Sequence, residues 1–303
     1  MRPADLRPGI HLLHKPVGAT SFSLVQPALD ALAARPGKRL PVCHGGTLDP
    51  FAEGLLLLLV GPTTKLMDLL HAAPKVYVAD LAWGAETDNG DPTGTEVAQG
   101  VRPPPSDAEL EAALRPFLGW TDQVPPATSA KKLGGEPAYK KAHRGEAVIL
   151  PPSRVFLHAA RVLDAPAPGI TRIELTCRGG YYVRSFARDL GRALGCRAHL
   201  VALHRTVIGP WRDPGPSAST GFATGPDALP WARRRVLTDQ EVGRLRAGEP
   251  IPAGSLQPGT WSFPAGFPDA AAPVLGVHLG RLAMLLKEGV GGFALHAELR
   301  GGL

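Results

Sequence analysis

Residues 44–61 of the chain read HGGTLDPFAEGLLLLLVG, which predicts a stiff loop followed by a buried strand. The two glycines permit close approach of another backbone or a ligand. Pro50 fixes its own φ and biases Asp49 away from the helical region, so Asp49 is held in a rigid loop. The apolar run 55–60 has the length of a buried strand. A carboxylate beside such a strand is well placed to be a nucleophile or a base, although Asp before Pro is also common in ordinary turns.

The composition narrows the class of protein. A length of 303 residues allows one large or two ordinary domains, and the formal net charge of +6 favours an anionic partner. The three cysteines are far apart and lack metal-ligand spacing, so we expect reduced thiols and no metal site. The longest apolar run is too short to span a bilayer, and the first residues lack a signal-peptide core. We therefore expect a cytoplasmic protein with no membrane partner.

Apolar periodicity predicts strands and helices along most of the first 208 residues. The segment 75–83 alternates, with Lys75 and Tyr77 on one face, and is typical of a strand. Ser106 followed by Glu109 forms a capping box at the start of a helix. The patterns predict strands at 9–14, 55–60, 75–83, 154–163, 169–177 and 199–207, and helices at 20–34, 63–72, 106–118 and 182–194.

A basic segment lies within residues 124–150. Five cations against two carboxylates give it a charge of +3, and Tyr139 lies among them. Such a segment is often only a solvated helix, yet a basic insertion with an aromatic residue and flanking glycines also suits a mobile clamp on RNA. The charged residues are Lys131, Lys132, Lys140, Lys141, Arg144, Glu136 and Glu146.

A stretch rich in Pro, Gly, Ser and Thr at about 210–230 predicts a linker and a domain boundary. Beyond it, short alternating segments indicate a small β-rich module. From the residues alone, this module is either an accessory domain or a structural tail.

Residues 46–56, GTLDPFAEGLL, closely resemble the catalytic loop of the TruB family of pseudouridine synthases. Lys15 and Pro16 resemble the first motif of the same family, and the Leu-x-Arg step at 203–205 resembles a later one. The resemblance covers residues 9–208. It implies an α+β fold, with a mixed, largely antiparallel sheet flanked by helices and a small C-terminal module similar to a PUA domain.

The resemblance also implies roles for individual residues. Asp49 is the expected catalytic carboxylate, Arg184 pairs with it, and Tyr77 and Tyr182 hold the target ring. His44 stacks in the space that the flipped-out base vacates. The residues expected to contact substrate or RNA, or to support the loop that does, are His44, Tyr182, Leu203, Lys15, Lys65, Asp91, Lys131, Lys132, Lys140, Lys141 and Arg205.

The resemblance implies a domain organisation and a substrate. We expect a catalytic domain at 1–229, with an RNA clamp at about 124–150, and a PUA-like RNA-binding module at 230–303. The implied reaction converts uridine to pseudouridine at position 55 in the T-loop of tRNA. It needs no cofactor and no metal, and we expect a monomer.

Two other classes of function stay open. A protein that only binds or folds RNA would not need the carboxylate of Asp49. A glycoside or nucleoside hydrolase would usually need a second acid across the scissile bond, and Glu53 is the one acid near Asp49 in sequence. The chemical route is also open, since Asp49 could act as a nucleophile at C1′ or as a base at C2′.

Overall fold

A large mixed sheet carries the loop that holds Asp49. The computed structural model describes residues 6–34, 40–217, 221–268 and 273–303. The strands are β1 (Gly9–Lys15), β2 (Val42–His44), β3 (Glu53–Val60), β4 (Lys75–Trp83), β5 (Ala85–Thr87), β6 (Glu96–Gln99), β7 (Gly119–Gln123), β8 (Lys132–Leu133), β9 (Glu136–Pro137), β10 (Ser153–Ala167), β11 (Ile170–Cys177), β12 (Ala198–Ile208), β13 (Trp211–Arg212), β14 (Gly221–Ala223), β15 (Arg234–Val236), β16 (Ile251–Pro252), β17 (Val274–His278), β18 (Arg281–Gly289) and β19 (Gly292–Glu298).

Helices flank this sheet. The α-helices are α1 (Ser21–Ala33), α2 (Met67–Ala72), α3 (Asp107–Leu114), α4 (Ala138–His143), α5 (Val183–Leu194) and α6 (Asp239–Arg246). Shorter 3-10 turns occupy Gly61–Leu66, Arg115–Phe117 and Gly225–Ala228. The predicted helix 63–72 is therefore a 3-10 turn that continues into α2.

The central sheet has the strand order β14-β1-β3-β12-β4-β11-β10-β7, with β2 and β13 paired beside β3 and β12. Its pairs are antiparallel apart from the short parallel contact between β3 and β12. Strand β12 thus lies between β3 and β4, so the chain segment after Asp49 and the strand that carries Tyr77 both border it. This order brings together residues that are more than 100 positions apart.

Strand β3 is buried on both faces. Its residues 55–60 are all 0% exposed, which explains why they read as an unbroken apolar run. Leu56, Leu58 and Val60 pack against α1, while Leu55 and Leu57 belong to a second cluster on the other face. The loop that holds Asp49 therefore continues directly into a rigid support.

The segment 210–230 corrects the prediction of a plain linker. Strand β13 pairs with β12, and β14 pairs with β1, so this segment extends the central sheet. Trp211 and Ala223 are buried there, and their burial holds a stretch whose composition otherwise resembles a linker.

The C-terminal strands form a second, five-stranded sheet in the order β15-β17-β18-β19-β16. Its own core packs against α6. Leu275, Leu282, Leu285 and Leu299 instead belong to the same cluster as Leu55 of the central sheet. The two sheets thus share apolar core, and the division of the chain at residue 230 stays a proposal.

Candidate active site

A cleft of about 200 Å³ opens beside the Asp49 loop. Its walls come from the loop 46–49, from β4 and β12, and from the start of α5. The residues predicted for the site that line it are Asp49, Tyr77, Tyr182, Arg184, Leu203 and Arg205.

Asp49 and Arg184 form a two-pronged ion pair at this cleft. The Arg184 Nε donates to Asp49 Oδ2 at 2.9 Å, and Nη2 donates to Oδ1 at 3.0 Å. The remaining donor, Nη1, is held by the Asn89 carbonyl at 2.8 Å and by Thr128 Oγ1 at 2.7 Å. Only 5% of the Arg184 side chain is exposed, against 30% for Asp49. The carboxylate is therefore fixed in orientation yet open to the cleft.

Arg205 holds the loop from below. Its guanidinium donates to the carbonyl oxygens of Leu55 at 2.8 Å, Thr47 at 3.2 Å and Gly46 at 3.2 Å. With 1% of its surface exposed, Arg205 is placed to position the loop rather than to touch a phosphate. Gly54 makes this possible, because a Cβ there would lie 2.3 Å from the Arg205 carbonyl oxygen.

Lys15 supports the other end of the loop. Its Nζ donates to the carbonyl oxygens of Pro16, Ala19 and Pro50, at 2.9, 2.8 and 3.4 Å. Burial lowers the pKa of Lys15 to about 8, and the nearby charge of Asp49 opposes that shift. The side chain is buried, so it acts on the loop from inside the protein.

Tyr77 and Tyr182 supply the aromatic surfaces of the cleft. Tyr77 is buried on β4, and burial raises its pKa while the neighbouring Arg205 lowers it. Tyr182 precedes α5, where its backbone exchanges two hydrogen bonds with the Gln123 side chain at 2.9 and 3.0 Å. Burial also raises the pKa of Tyr182. Both rings therefore present neutral phenols at neutral pH.

His44 lies next to the loop but does not line the cleft. Its side chain is half-buried, and Nδ1 has no hydrogen-bond partner among the described residues. Burial lowers the pKa of His44, and the charge of Arg205 adds to that effect. A neutral imidazole with an unused nitrogen suits contact with a base.

Two predicted residues have partners away from the cleft lining. The Lys65 ammonium donates to the Glu298 carbonyl of the second sheet at 2.6 Å. Asp91 accepts from Asn89 and Thr93 within its own turn, and Oδ2 lies 3.9 Å from Nη1 of Arg184. Asp91 is thus behind the ion pair, at a distance where its charge still acts on Arg184.

The predicted clamp forms a small hairpin, β8–β9, followed by α4. Lys141 lies 3.8 Å from Glu136 and 3.6 Å from Glu146, and Arg144 pairs with both carboxylates at shorter distances. Lys131 donates to the Ser153 hydroxyl. Among the predicted clamp lysines, Lys132 and Lys140 are exposed.

Sequence reasoning did not single out Lys75 as a site residue, although the alternation of β4 places it on the Tyr77 face. It lines the cleft, and its Nζ donates to the carbonyl oxygens of His71 at 2.8 Å and Ala73 at 3.0 Å. Burial lowers the pKa of Lys75 to about 7, with a further lowering from Arg205. Thr128 was also missed, because nothing in its sequence context indicates a contact with Arg184.

The part of the chain that the structure describes also bears on metal and membrane binding. No group of three or more His, Cys, Asp or Glu side chains in these ranges is arranged to hold a metal ion. No helix among them is long and apolar enough to cross a membrane.

Comparisons with known proteins agree with this geometry. Residues 37–183 match the family model described as TruB family pseudouridylate synthase (N terminal domain). The chain is 39% identical over 265 residues to tRNA pseudouridine synthase B of Xanthomonas euvesicatoria pv. vesicatoria (strain 85-10), a match that covers 83% of this chain and 84% of that protein. It is 40% identical over 251 residues to tRNA pseudouridine synthase B of Bordetella avium (strain 197N), covering 82% and 95%.

The fold is similar to that of a solved chain in a Cbf5-Nop10-Gar1 complex. The TM-score is 0.65 at 20% sequence identity, and the match covers 98% of this chain and 88% of that chain. The likeness therefore extends over both sheets, and it confirms the predicted α+β fold with a PUA-like C-terminal module.

Proposed function

Because the chain belongs to the TruB family of pseudouridine synthases, we propose that it isomerises uridine 55 in the T-loop of tRNA, with Asp49 as the catalytic carboxylate. The observation that supports the role of Asp49 most strongly is its two-pronged pairing with Arg184 at the wall of a cleft. A carboxylate that only bends the chain would not need a buried guanidinium to orient it.

The reaction breaks the bond from C1′ to N1 of uracil and forms a bond from C1′ to C5. In one route, the Asp49 carboxylate attacks C1′ and the N1–C1′ electron pair leaves with the base. In the other, Asp49 removes the C2′ proton and the same electron pair departs. In both routes the base turns in place, C5 bonds to C1′, and the C5 proton departs to restore the conjugated ring. Atoms balance without an added reactant.

The cleft residues divide this work. Tyr77 and Tyr182 offer ring faces that hold the detached base, and Leu203 closes the wall between them and the sheet. We assign the transfer of the C5 proton to the Tyr77 hydroxyl, because a phenol kept neutral by burial can exchange a proton without carrying charge into the cleft. Arg205 and Lys15 keep the loop in place.

RNA contacts outside the cleft complete the proposal. His44 stacks where the flipped-out base was, and unstacking a base costs a few kcal/mol, so such a replacement contact lowers the barrier. Lys131, Lys132, Lys140 and Lys141 contribute to a clamp on the T-arm, with Lys132 and Lys140 most accessible. The module 230–303 adds accessory RNA contacts. We propose a monomer that acts without cofactor or metal.

The assignment of Asp49 is tested with Asp49→Asn on an unmodified tRNA transcript. We expect no pseudouridine, while the dissociation constant for tRNA stays within a few-fold, because the carboxylate serves chemistry and the cationic surface serves affinity. Asp122→Asn is the matched control, since its side chain is 64% exposed and its ion-pair contact with Arg154 is long, at 3.7 Å. Normal turnover by Asp49→Asn would overturn the assignment, and release of free uracil by the wild type would indicate a hydrolase.

A further inference from the structure

The cations beside the cleft differ in what they bind. Arg184 is committed to Asp49, and Arg205 and Lys75 are committed to backbone carbonyls. Arg178 is different. Among the described residues, no carboxylate lies within ion-pair distance of its guanidinium, and its buried Nε–H has no acceptor. It is a permanent positive charge that the described part of the protein leaves uncompensated.

Arg178 lies at the edge of the cleft. It directly precedes Gly179 and Gly180, and Gly180 lines the cleft together with His71. The chain passes so close to His71 that a Cβ on Gly179 would lie 1.9 Å from the His71 carbonyl oxygen and 2.8 Å from its Nδ1. The charge of Arg178 reaches His71 and Lys75, since it lowers the pKa of both side chains.

An aromatic ring holds the guanidinium in position. The Arg178 Cζ lies 5.9 Å from the centroid of the Trp120 ring, within the range of a cation–π contact. Trp120 in turn packs against Phe156, with ring centroids 5.3 Å apart, and the Phe156 carbonyl accepts the Arg178 backbone N–H at 3.0 Å. A ring constrains a guanidinium without using its hydrogen-bond donors, so these stay available for a ligand.

We propose that Arg178, with the exposed His71 beside it, binds a backbone phosphate of the RNA next to the nucleotide held in the cleft. The proposal rests on the proposed function in taking the substrate to be RNA. A phosphodiester is the anion that must lie within a few ångströms of any nucleotide placed in the cleft. Arg offers the planar pair of donors that matches two phosphate oxygens. A neutral imidazole at His71 can donate one further hydrogen bond.

The proposed phosphate contact makes Arg178 a residue of substrate positioning and affinity. It does not touch the reacting atoms of the base, and the Asp49–Arg184 pair does not depend on it. Its removal should therefore act on KM and on the dissociation constant, and should leave the rate at saturating RNA unchanged.

The experiment pairs Arg178→Gln with single-phosphate neutralisation. A set of T-stem-loop RNAs is made, each with one uncharged methylphosphonate at a phosphate on either side of the target uridine. Binding to wild type and to Arg178→Gln is measured for each RNA over a range of salt. We expect Arg178→Gln to weaken binding of the unmodified RNA about tenfold, as one charge-assisted hydrogen bond contributes. The slope of log K against log salt should fall by about 0.7.

The phosphate scan gives the decisive comparison. One methylphosphonate should weaken binding to the wild type about tenfold and leave binding to Arg178→Gln nearly unaffected, because the partner of that phosphate is already gone. Equal weakening of both proteins at every position would overturn the proposal. Arg161→Gln is the control, since its side chain is 68% exposed and paired with Glu174 at 3.0 Å, and it should bind like the wild type.

Two further variants keep the test informative. Arg178→Lys should restore the salt slope and part of the affinity even if Arg178→Gln folds poorly. Trp120→Leu should weaken binding by a smaller factor with the slope unchanged, because it loosens the guanidinium without removing charge. Since these are binding measurements, they remain valid if wild type makes no pseudouridine in the same RNA, an outcome that would refute the proposed function alone.

Discussion

Arg184→Lys keeps the positive charge beside Asp49 and removes its geometry. In the native site, two parallel hydrogen bonds of 2.9 and 3.0 Å join the guanidinium to the carboxylate. A lysine ammonium is a point charge that reaches one carboxylate oxygen well, so it cannot make both of these bonds. A hydrogen bond between charged groups contributes about 1.5–3 kcal/mol, and each 1.4 kcal/mol is a factor of about ten.

We therefore expect Arg184→Lys to reduce the single-turnover rate by about ten- to a hundredfold on one tRNA transcript. The dissociation constant should change little, because the side chain is only 5% exposed and cannot be a main RNA contact. The assay is rapid mixing of excess enzyme with tRNA, followed by measurement of pseudouridine against time. Thermal unfolding of the variant, recorded in parallel, separates a local effect on Asp49 from a general failure of the fold.

Arg188→Lys is the matched control for this experiment. Arg188 lies one turn further along α5, and its guanidinium binds Asp189 at 2.8 Å and the Val124 carbonyl at 3.0 Å, not Asp49. Its rate should stay close to that of the wild type. A full rate for Arg184→Lys, with a normal unfolding temperature, would refute the argument that the two-pronged pair orients the carboxylate.

The remaining predictions concern the proton, the clamp and the second sheet. Tyr77→Phe keeps the ring face but removes the hydroxyl, and we expect a single-turnover rate at least about a hundredfold lower, as removal of a general acid–base group would give; full activity would leave Tyr77 as a platform only. Replacing Lys132 and Lys140 together by Gln should lower the slope of log K against log salt by about 0.7–0.9 for each phosphate that the variant no longer binds, and an unchanged slope would make both residues plain solvent-exposed side chains. Ending the chain before Pro230 should give a protein without a cooperative thermal transition, because it strips apolar partners from Leu55 and its cluster; a cooperatively folded truncation would show that the catalytic domain is independent.

Local structure was predictable from the sequence where periodicity is strong. The alternation at 75–83 matches the bounds of β4, and its buried face is the one that carries Lys75 and Tyr77. The capping box of Ser106 and Glu109 is present at the start of α3. These features depend on neighbours two to four positions apart, so a single sequence contains the information.

Pairing between distant segments was beyond such reasoning. No local pattern shows that β12 lies between β3 and β4, and this order alone brings Arg205 beneath the carbonyls of residues 46–55. The family resemblance placed Arg205 among the RNA contacts, whereas its burial indicates a role in holding the loop.

Charge partners were equally hidden. Counting charges in the basic segment yields +3, but the count does not show that Glu136 and Glu146 both pair with Arg144. The composition of 210–230 indicated a linker because Pro and Gly are frequent in it, while edge pairing of two short strands depends on what β1 and β12 offer from elsewhere in the chain.

The distribution of charge around the cleft favours isomerisation over hydrolysis. A hydrolase acting on a glycosidic bond usually places two carboxyl groups across it. Among the described residues that line the cleft, Asp49 is the one carboxylate, and the ionisable groups around it are basic or phenolic. Glu53, the acid nearest to it in sequence, does not line the cleft, and its side chain lies 3.9 Å from the His14 Nε2. A single oriented carboxylate can open the bond to C1′ but has no partner acid to activate a water from the opposite side. The detached base, held against tyrosine faces, is then the nucleophile that remains.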